Sequence, residues 1–310
     1  MKLWLLALLV FACAQVGVAP VELGGVHFLR SIDLGMTRAK SEAKPAFVLF
    51  QEIPGCSTCR GFGRGPLSEP LFIEAIETLF VPVAIQNNAG GEDAKAIERF
   101  REPAWNNPVV RFLDEHGKDL IARRDDVWTS SALAGRMSAA LVAAKCELPE
   151  WWKLTELDAR APDLARAVFA MNCFWVGQAT LGALDGVADA RPGFLANHEV
   201  VDVRFDQERL SLASLIAAAK RADVADLVWV NSDEDLQIAR AMLGERAKPL
   251  EEAPRAASRS DDLRALKTSP WSKLDVPRAQ AVRLNALFAA GEAPPLKVIS
   301  PRQRALLKAE

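Results

Sequence analysis

The sequence predicts an α/β protein built from two domains. Short apolar runs typical of strands alternate with helical segments in two separate blocks of the chain. The 310 residues, 50% of them hydrophobic and 25% charged, suffice to bury two cores and exclude a disordered chain. The 38 Lys and Arg residues nearly balance the 40 Asp and Glu residues. Because no basic excess attracts phosphates, we expect no nucleic-acid partner.

Residues 1–14 predict a signal peptide. The apolar run of residues 3–14 is shorter than the roughly 20 residues that span a bilayer, but it has the length of a signal-peptide core. Ala12-Cys13-Ala14 supplies the small residues of a cleavage site. The alternatives are a lipoprotein with its lipid on Cys13 and an uncleaved buried helix. We expect an exported protein, periplasmic or secreted, with no membrane span in the rest of the chain.

The first predicted domain, residues 21–147, contains a mixed sheet with helices on its faces. Its predicted strands are residues 46–50, 80–85, 109–113 and a fourth strand through Ile121. Its predicted helices are a stretch after Cys59, residues 92–101 and residues 130–145. Leu148-Pro149-Glu150-Trp151-Trp152 is predicted as an aromatic linker that packs between the domains.

The second predicted domain comprises residues 163–246. Its predicted strands are residues 167–171, 187–194, 199–205 and 227–230, and its predicted helices are residues 176–184, 211–222 and 233–243. Residues 247–310 are predicted as a loop followed by a helical tail, with a helix at residues 279–288. This tail could pack over a site or bind a partner.

Cys56-Ser57-Thr58-Cys59 is the first candidate for chemistry. Two cysteines two residues apart can close a disulfide, and backbone N–H groups at a helix start stabilise the first thiolate. The alternatives are a structural disulfide and half of a zinc site, for which a second cysteine pair is missing. The sequence therefore predicts a working thiol–disulfide pair without metal or cofactor.

The surroundings of this pair resemble a thioredoxin-like active site, because the pair follows a hydrophobic strand. Asn107-Pro108 is similar to the cis-proline of that fold, which implies that Pro108 lies against the redox pair. Ile53-Pro54-Gly55-Cys56 resembles a thioredoxin-like group whose first redox position is often selenocysteine. In that group Thr commonly stands where this chain has Cys59, so Cys59 is a departure towards dithiol chemistry.

Met171-Asn172-Cys173-Phe174-Trp175 is the second candidate. It places a cysteine between a strand and a helix, with two aromatic residues that could hold a small apolar group such as an S-methyl. It resembles methionine sulfoxide reductase A, whose signature is Gly-Cys-Phe-Trp after a strand. The resemblance covers residues 167–244 and implies a two-layer α/β domain. It further includes Leu184-Asp185-Gly186-Val187, Arg191-Pro192-Gly193-Phe194 and the strand from Asn197 to Asp206.

The resemblance implies a role for each residue at the second candidate. Cys173 would be the nucleophile, Phe174 and Trp175 the methyl pocket, and Glu199 the proton donor to the sulfoxide oxygen. The family uses two tyrosine hydroxyls beside the glutamate, and this chain has no Tyr. Losing one such donor typically slows a reaction about 100- to 1000-fold. His198 could replace one donor or be a surface histidine, and Glu199 could be a solvated charge.

No cysteine follows Cys173, so a resolving thiol must come from elsewhere. Cys146 could serve, but a buried inert cysteine at the end of an apolar helix is the favoured interpretation. Cys56 could instead attack a Cys173 sulfenic acid, and Cys59 could then release the mixed disulfide. Fusion of the two domains would raise the local thiol concentration to about millimolar.

The predicted function is that of an exported peptide-methionine (S)-S-oxide reductase-like enzyme, with the dithiol domain supplying electrons in cis. Its partners would be oxidised protein or peptide methionine and an external thiol reductant. One alternative is a thiol–disulfide oxidoreductase that acts on protein disulfides, with a second domain that only binds. The other is a non-enzymatic envelope scaffold with structural cysteines.

Overall fold

Two sheets organise the chain, which has the mixed α/β fold that the sequence predicts. The computed structural model describes residues 20–103, 108–293 and 296–307. The elements around the first sheet are strands β1 (Ala46–Gln51), β2 (Val81–Gln86) and β3 (Val109–Leu113), and helices α1 (Ile32–Glu42), α2 (Ser57–Arg64), α3 (Pro70–Leu79), α4 (Glu92–Phe100) and α5 (Ser130–Ala143).

Strand β1 lies at the centre of the first sheet, whose order is β2-β1-β3. It runs parallel to β2 and antiparallel to β3, and all six of its residues are buried. Phe47 and Leu49 face a core formed with α3 and α5, whereas Val48 and Phe50 face a second core formed with α1 and α4. Burial on both faces explains the unbroken apolar run of this strand.

The predicted fourth strand through Ile121 is wrong. A single antiparallel bridge joins Leu113 to Asp119 beyond β3. Arg111 pairs with Asp119 and with the buried Glu102, which also accepts hydrogen bonds from Arg123 at 2.7 and 2.8 Å. These ion pairs hold the residues after the turn against β3. The apolar stretch that was predicted to form a fourth strand is too short to extend the sheet.

The predicted linker Leu148–Trp152 runs into helix α6 (Glu150–Arg160). Trp152 has no exposed surface; its indole Nε1 donates to the Ser138 Oγ at 2.9 Å, and its ring lies edge-on to Phe72 at 5.4 Å. Two residues further along the helix, Leu154 packs into the core of the second sheet. Helix α6 thus contributes to both cores. The predicted domain boundaries, residues 21–147 and 163–246, remain a prediction.

The second sheet has six strands in the order β8-β7-β4-β6-β5-β9. Helices cover one face over a large core, and a smaller apolar cluster lies on the opposite face. The remaining elements are β4 (Ala165–Ala170), β5 (Val187–Leu195), β6 (His198–Phe205), β7 (Leu227–Val230), β8 (Ala247–Pro249), β9 (Arg255–Ala256), α7 (Phe174–Gly182), α8 (Leu212–Arg221), α9 (Asp233–Leu243), α10 (Arg264–Lys267), α11 (Arg278–Ala289) and α12 (Pro301–Leu307).

Residues 247–260, predicted as a loop, contain the two edge strands β8 and β9. Strand β8 pairs in parallel with β7, and β9 pairs with β5. The backbone of an uncovered sheet edge needs hydrogen-bond partners, and this segment supplies them even though its composition is typical of a loop. The predicted helix at residues 279–288 is present as α11, which packs on the second core.

The C-terminal helix α12 contacts the first half of the chain. The Arg302 backbone N–H donates to the buried Glu74 carboxylate at 2.8 Å, and the Arg302 guanidinium pairs with Glu77. The tail therefore helps to join the two halves of the protein.

None of the helices in the described ranges is both long and apolar enough to cross a bilayer. The predicted signal peptide, residues 1–14 with Cys13, lies outside the described residues.

We expect Trp152→Ala to lower the free energy of unfolding by roughly 3–5 kcal/mol, because it leaves a cavity in the first core and removes one of the hydrogen bonds of Ser138. Urea denaturation followed by circular dichroism measures the change. Val142→Ala, at a 61% exposed position of α5, is the matched control and should change stability little. Equal midpoints for the wild type and Trp152→Ala would contradict this packing.

Candidate active site

Cys56 and Cys59 lie where β1 gives way to α2. Cys56 is the residue that caps the N-terminus of α2, and Cys59 lies one turn into that helix. Their Sγ atoms are 3.4 Å apart and share a hydrogen bond. Cys56 is exposed, whereas Cys59 is fully buried. The Cys56 sulfur can therefore contact a substrate, whereas the Cys59 sulfur is shielded from solvent.

The two thiols differ in acidity for physical reasons. The backbone N–H of Cys59, at the start of α2, donates to the Cys56 sulfur and lowers the pKa of Cys56; the Cys59 thiol adds a second hydrogen bond in the same direction. Burial, followed by the hydrogen bond to Cys56, raises the pKa of Cys59 to about 11. Cys56 is therefore the thiol that ionises first.

Side chains remote in sequence hold the loop before Cys56. The Asn88 Oδ1 accepts from the Ile53 N–H at 3.0 Å, and its Nδ2 donates to the Pro54 carbonyl at 3.3 Å. The buried Glu22 accepts from the Gly55 N–H at 2.9 Å. A Cβ on Gly55 would lie 2.5 Å from the Cys59 Cβ, so the close packing of the backbone at residue 55 against Cys59 requires glycine.

Sequence reasoning missed Glu22 and Asn88. Asn88 follows just after β2. Because β2 runs parallel to β1 and Gln86 pairs with Gln51, residues that follow β2 lie beside the loop that follows β1, and this could have indicated Asn88. For Glu22, which lies in a short 3₁₀ turn at Val21–Leu23, the sequence offers no comparable signal.

Pro108 is buried directly before β3, and its carbonyl accepts from the Trp128 indole N–H at 3.1 Å. The predicted cis bond is Asn107–Pro108, and Asn107 lies outside the described residues. Within the described ranges, the cis peptide bond is Ile53–Pro54, directly before the dithiol.

Cys173 has a similar position in the second half of the chain. It follows β4 and caps the N-terminus of α7 with extended backbone dihedrals. The Glu199 Oε2 accepts from the Phe174 N–H at 2.9 Å, and the Glu199 carbonyl accepts from the Met171 N–H at 3.1 Å. The structure therefore brings Glu199 to the helix end at which Cys173 stands.

Three aromatic rings lie together at this second site, and an arginine packs against each of two of them. Phe174 is buried, with ring centroids 5.6 Å from Trp175 and 5.7 Å from Phe194. The Arg264 guanidinium lies 4.1 Å from the centre of the Trp175 ring, and that of Arg255 lies 4.6 Å from the Phe194 ring. These cation–π contacts come from the segment after β8, which the sequence did not connect with the site.

His198 does not join this site. Successive residues of β6 point to opposite faces of the sheet, so His198 and Glu199 diverge. The His198 ring lies 6.4 Å from Trp229, which belongs to the small cluster on the face opposite the larger core. The expected substitution of His198 for a missing tyrosine hydroxyl is therefore at odds with the structure.

The described contacts of the dithiol and of Cys173 involve different residues. Among the described residues, no disulfide, hydrogen bond or ring contact joins Cys56 or Cys59 to Cys173, and the four described cysteines are free thiols. Cys146, expected to be a buried inert cysteine, is half-buried and packs against the first core.

No protein-family model matches the chain, and no curated protein matches its sequence. Nine chains of solved structures match it. One of them, described as "DsbH Oxidoreductase", is 19% identical in sequence with a TM-score of 0.33, and the match covers 42% of this chain and 92% of that chain. These comparisons assign the chain to no family.

We expect iodoacetamide to alkylate Cys56 with a pH midpoint below that of a free cysteine peptide, because hydrogen bonds at the start of α2 lower its pKa. The protein should carry Cys13→Ser, Cys146→Ser and Cys173→Ser so that only the pair reacts. Cys59→Ala removes one of the donors and should move the midpoint upwards. A midpoint equal to that of the peptide would contradict the proposed activation.

Proposed function

We propose that this protein is a thiol–disulfide oxidoreductase whose reactive pair is Cys56 and Cys59. The observation that carries the proposal is the 3.4 Å separation of an exposed sulfur and a buried sulfur at the start of α2. A structural disulfide would need neither the exposure of Cys56 nor the difference in acidity between the two thiols.

The exchange reaction follows from this asymmetry. The Cys56 thiolate attacks one sulfur of a substrate disulfide and forms a mixed disulfide, and the other substrate sulfur leaves as a thiolate. Cys59 then loses its proton and attacks the Cys56 sulfur, which releases the second substrate thiol and leaves a Cys56–Cys59 disulfide. The substrate gains two electrons, and an external thiol reductant restores the dithiol.

A second candidate function is methionine sulfoxide reduction at Cys173, favoured by the position of the Glu199 carboxylate at the start of α7. The Cys173 sulfur would attack the sulfoxide sulfur while the Glu199 carboxyl group supplies a proton to the sulfoxide oxygen. The products are methionine and a Cys173 sulfenic acid. For a methyl group to reach the face of Trp175, Arg264 must move from that ring.

A more specific version of this second candidate adds an electron relay from the dithiol to Cys173 within the chain. Cys56 would attack the Cys173 sulfenic acid and release water, and Cys59 would then free Cys173 as a thiol and close the Cys56–Cys59 disulfide. This relay requires that the Cys56 sulfur come within bonding distance of the Cys173 sulfur. Without that approach, an external thiol must reduce Cys173.

We also infer that the protein works outside the cytoplasm, on the basis of the apolar run and cleavage pattern of residues 1–14. Disulfides form and persist in oxidising compartments, so export would supply the substrate class that the dithiol needs.

We expect the protein to catalyse reduction of a protein disulfide such as that of insulin by dithiothreitol. Cys56→Ser should reduce the rate to the uncatalysed level, and Cys59→Ser should slow turnover, because dithiothreitol must then release each mixed disulfide from Cys56. Cys146→Ser is the matched control and should leave the rate unchanged. Full activity of Cys56→Ser would refute the proposed function.

The second candidate has its own test, the reduction of a methyl sulfoxide with dithiothreitol as electron donor. We expect Cys173→Ser to abolish turnover and Glu199→Gln to slow it about 100-fold through loss of the proton donor. If the wild type shows no sulfoxide turnover while it reduces insulin, the second candidate fails and the dithiol function stands.

A further inference from the structure

A carboxylate lies beside the two sulfurs of the dithiol. Ligand atoms of Glu52, Cys56 and Cys59 all lie within 4.8 Å of one another. Glu52 is half-buried, and its carboxylate makes no hydrogen bond or ion pair with the residues that the structure describes. The exchange reaction assigns this side chain no part.

This carboxylate places a third acidic group beside the two thiols. Exchange proceeds through the Cys56 thiolate, and a second negative charge a few ångströms away disfavours that thiolate. A cation between the carboxylate and the sulfurs would reverse the sign of this interaction. The juxtaposition therefore points to a positively charged ligand.

The donor set defines which cation fits. Two thiolates and one carboxylate suit a soft or borderline divalent ion such as Zn²⁺ or Cd²⁺ and disfavour Mg²⁺ and Ca²⁺, which prefer oxygen ligands. In a tetrahedral zinc site with Zn–S bonds near 2.3 Å, two sulfurs lie about 3.8 Å apart. Here they are 3.4 Å apart, so an outward movement of the exposed Cys56 by a few tenths of an ångström provides the required span.

We propose that the reduced protein binds one Zn²⁺ or Cd²⁺ ion through Glu52, Cys56 and Cys59. Binding releases the thiol protons to the solvent, and the exposed side of Cys56 leaves a fourth position for water or an external thiolate. Both sulfurs are then coordinated, so the ion blocks attack on a disulfide. Oxidation of the pair by a disulfide substrate removes the thiolate ligands and excludes the ion. This inference does not require that the protein catalyse exchange.

The test is a titration of the reduced full chain with Cd²⁺, followed by ultraviolet thiolate-to-metal charge-transfer absorption. Cys13→Ser, Cys146→Ser and Cys173→Ser in the background restrict the signal to the pair. We expect one ion per chain, loss of the signal in Cys59→Ser and in the oxidised protein, and a Kd raised at least about tenfold in Glu52→Gln. Glu98→Gln, at an exposed position of α4, is the matched control and should bind as the parent does.

Three outcomes would overturn the inference: no charge-transfer signal, a signal that survives Cys59→Ser, or an unchanged Kd in Glu52→Gln. Insulin reduction in chelator-treated buffer separates this inference from the exchange function. If the protein reduces insulin but does not bind Cd²⁺, the exchange function stands and the metal site is refuted. If it binds Cd²⁺ but does not reduce insulin, the metal site stands and the exchange function is refuted. Slower exchange by Glu52→Gln with an unchanged Kd would reassign Glu52 to proton transfer and contradict its role as a ligand.

Discussion

The hydrogen bond from the first turn of α2 to the Cys56 sulfur is the interaction on which the rest of this account depends. It lowers the pKa of Cys56, and it requires that the chain turn from β1 into α2 at that residue. Burial of β1 on both faces fixes the strand, and the side chains of Asn88 and Glu22 fix the loop that follows. The first sheet and its cores thus determine where one reactive sulfur stands.

The same strand-to-helix arrangement occurs again at Cys173, but its neighbours are different. The Phe174 N–H donates to the Glu199 carboxylate, and Arg264 lies over the Trp175 ring, part of the expected methyl pocket. A helix N-terminus therefore places a thiol in both halves of the protein, and the surrounding side chains decide its chemistry. This difference explains why disulfide exchange at Cys56 has stronger support than sulfoxide reduction at Cys173.

Much of the fold could be predicted, because buried strands such as β1 and β4 are short apolar runs with clear ends. The edge strands β8 and β9 could not, since their pairing depends on an open sheet edge and their composition is that of a loop. At the two sites, Cys56, Cys59, Cys173 and Glu199 could be predicted from the sequence, because each lies in a short motif next to a predicted strand. Glu52 was overlooked because a second cysteine pair was the pattern sought for a metal, and Arg264 approaches Trp175 from far along the chain.

Mass spectrometry of the mixed disulfide tests the central claim most directly. Cys59→Ser is treated with a disulfide-bonded peptide, the reaction is quenched with acid, and the modified cysteine is identified after proteolysis. The account predicts one peptide on Cys56, because Cys56 attacks first and no Cys59 thiol remains to release it. A peptide attached to Cys146 or Cys173 with Cys56 unmodified would contradict the assignment of Cys56 as the nucleophile.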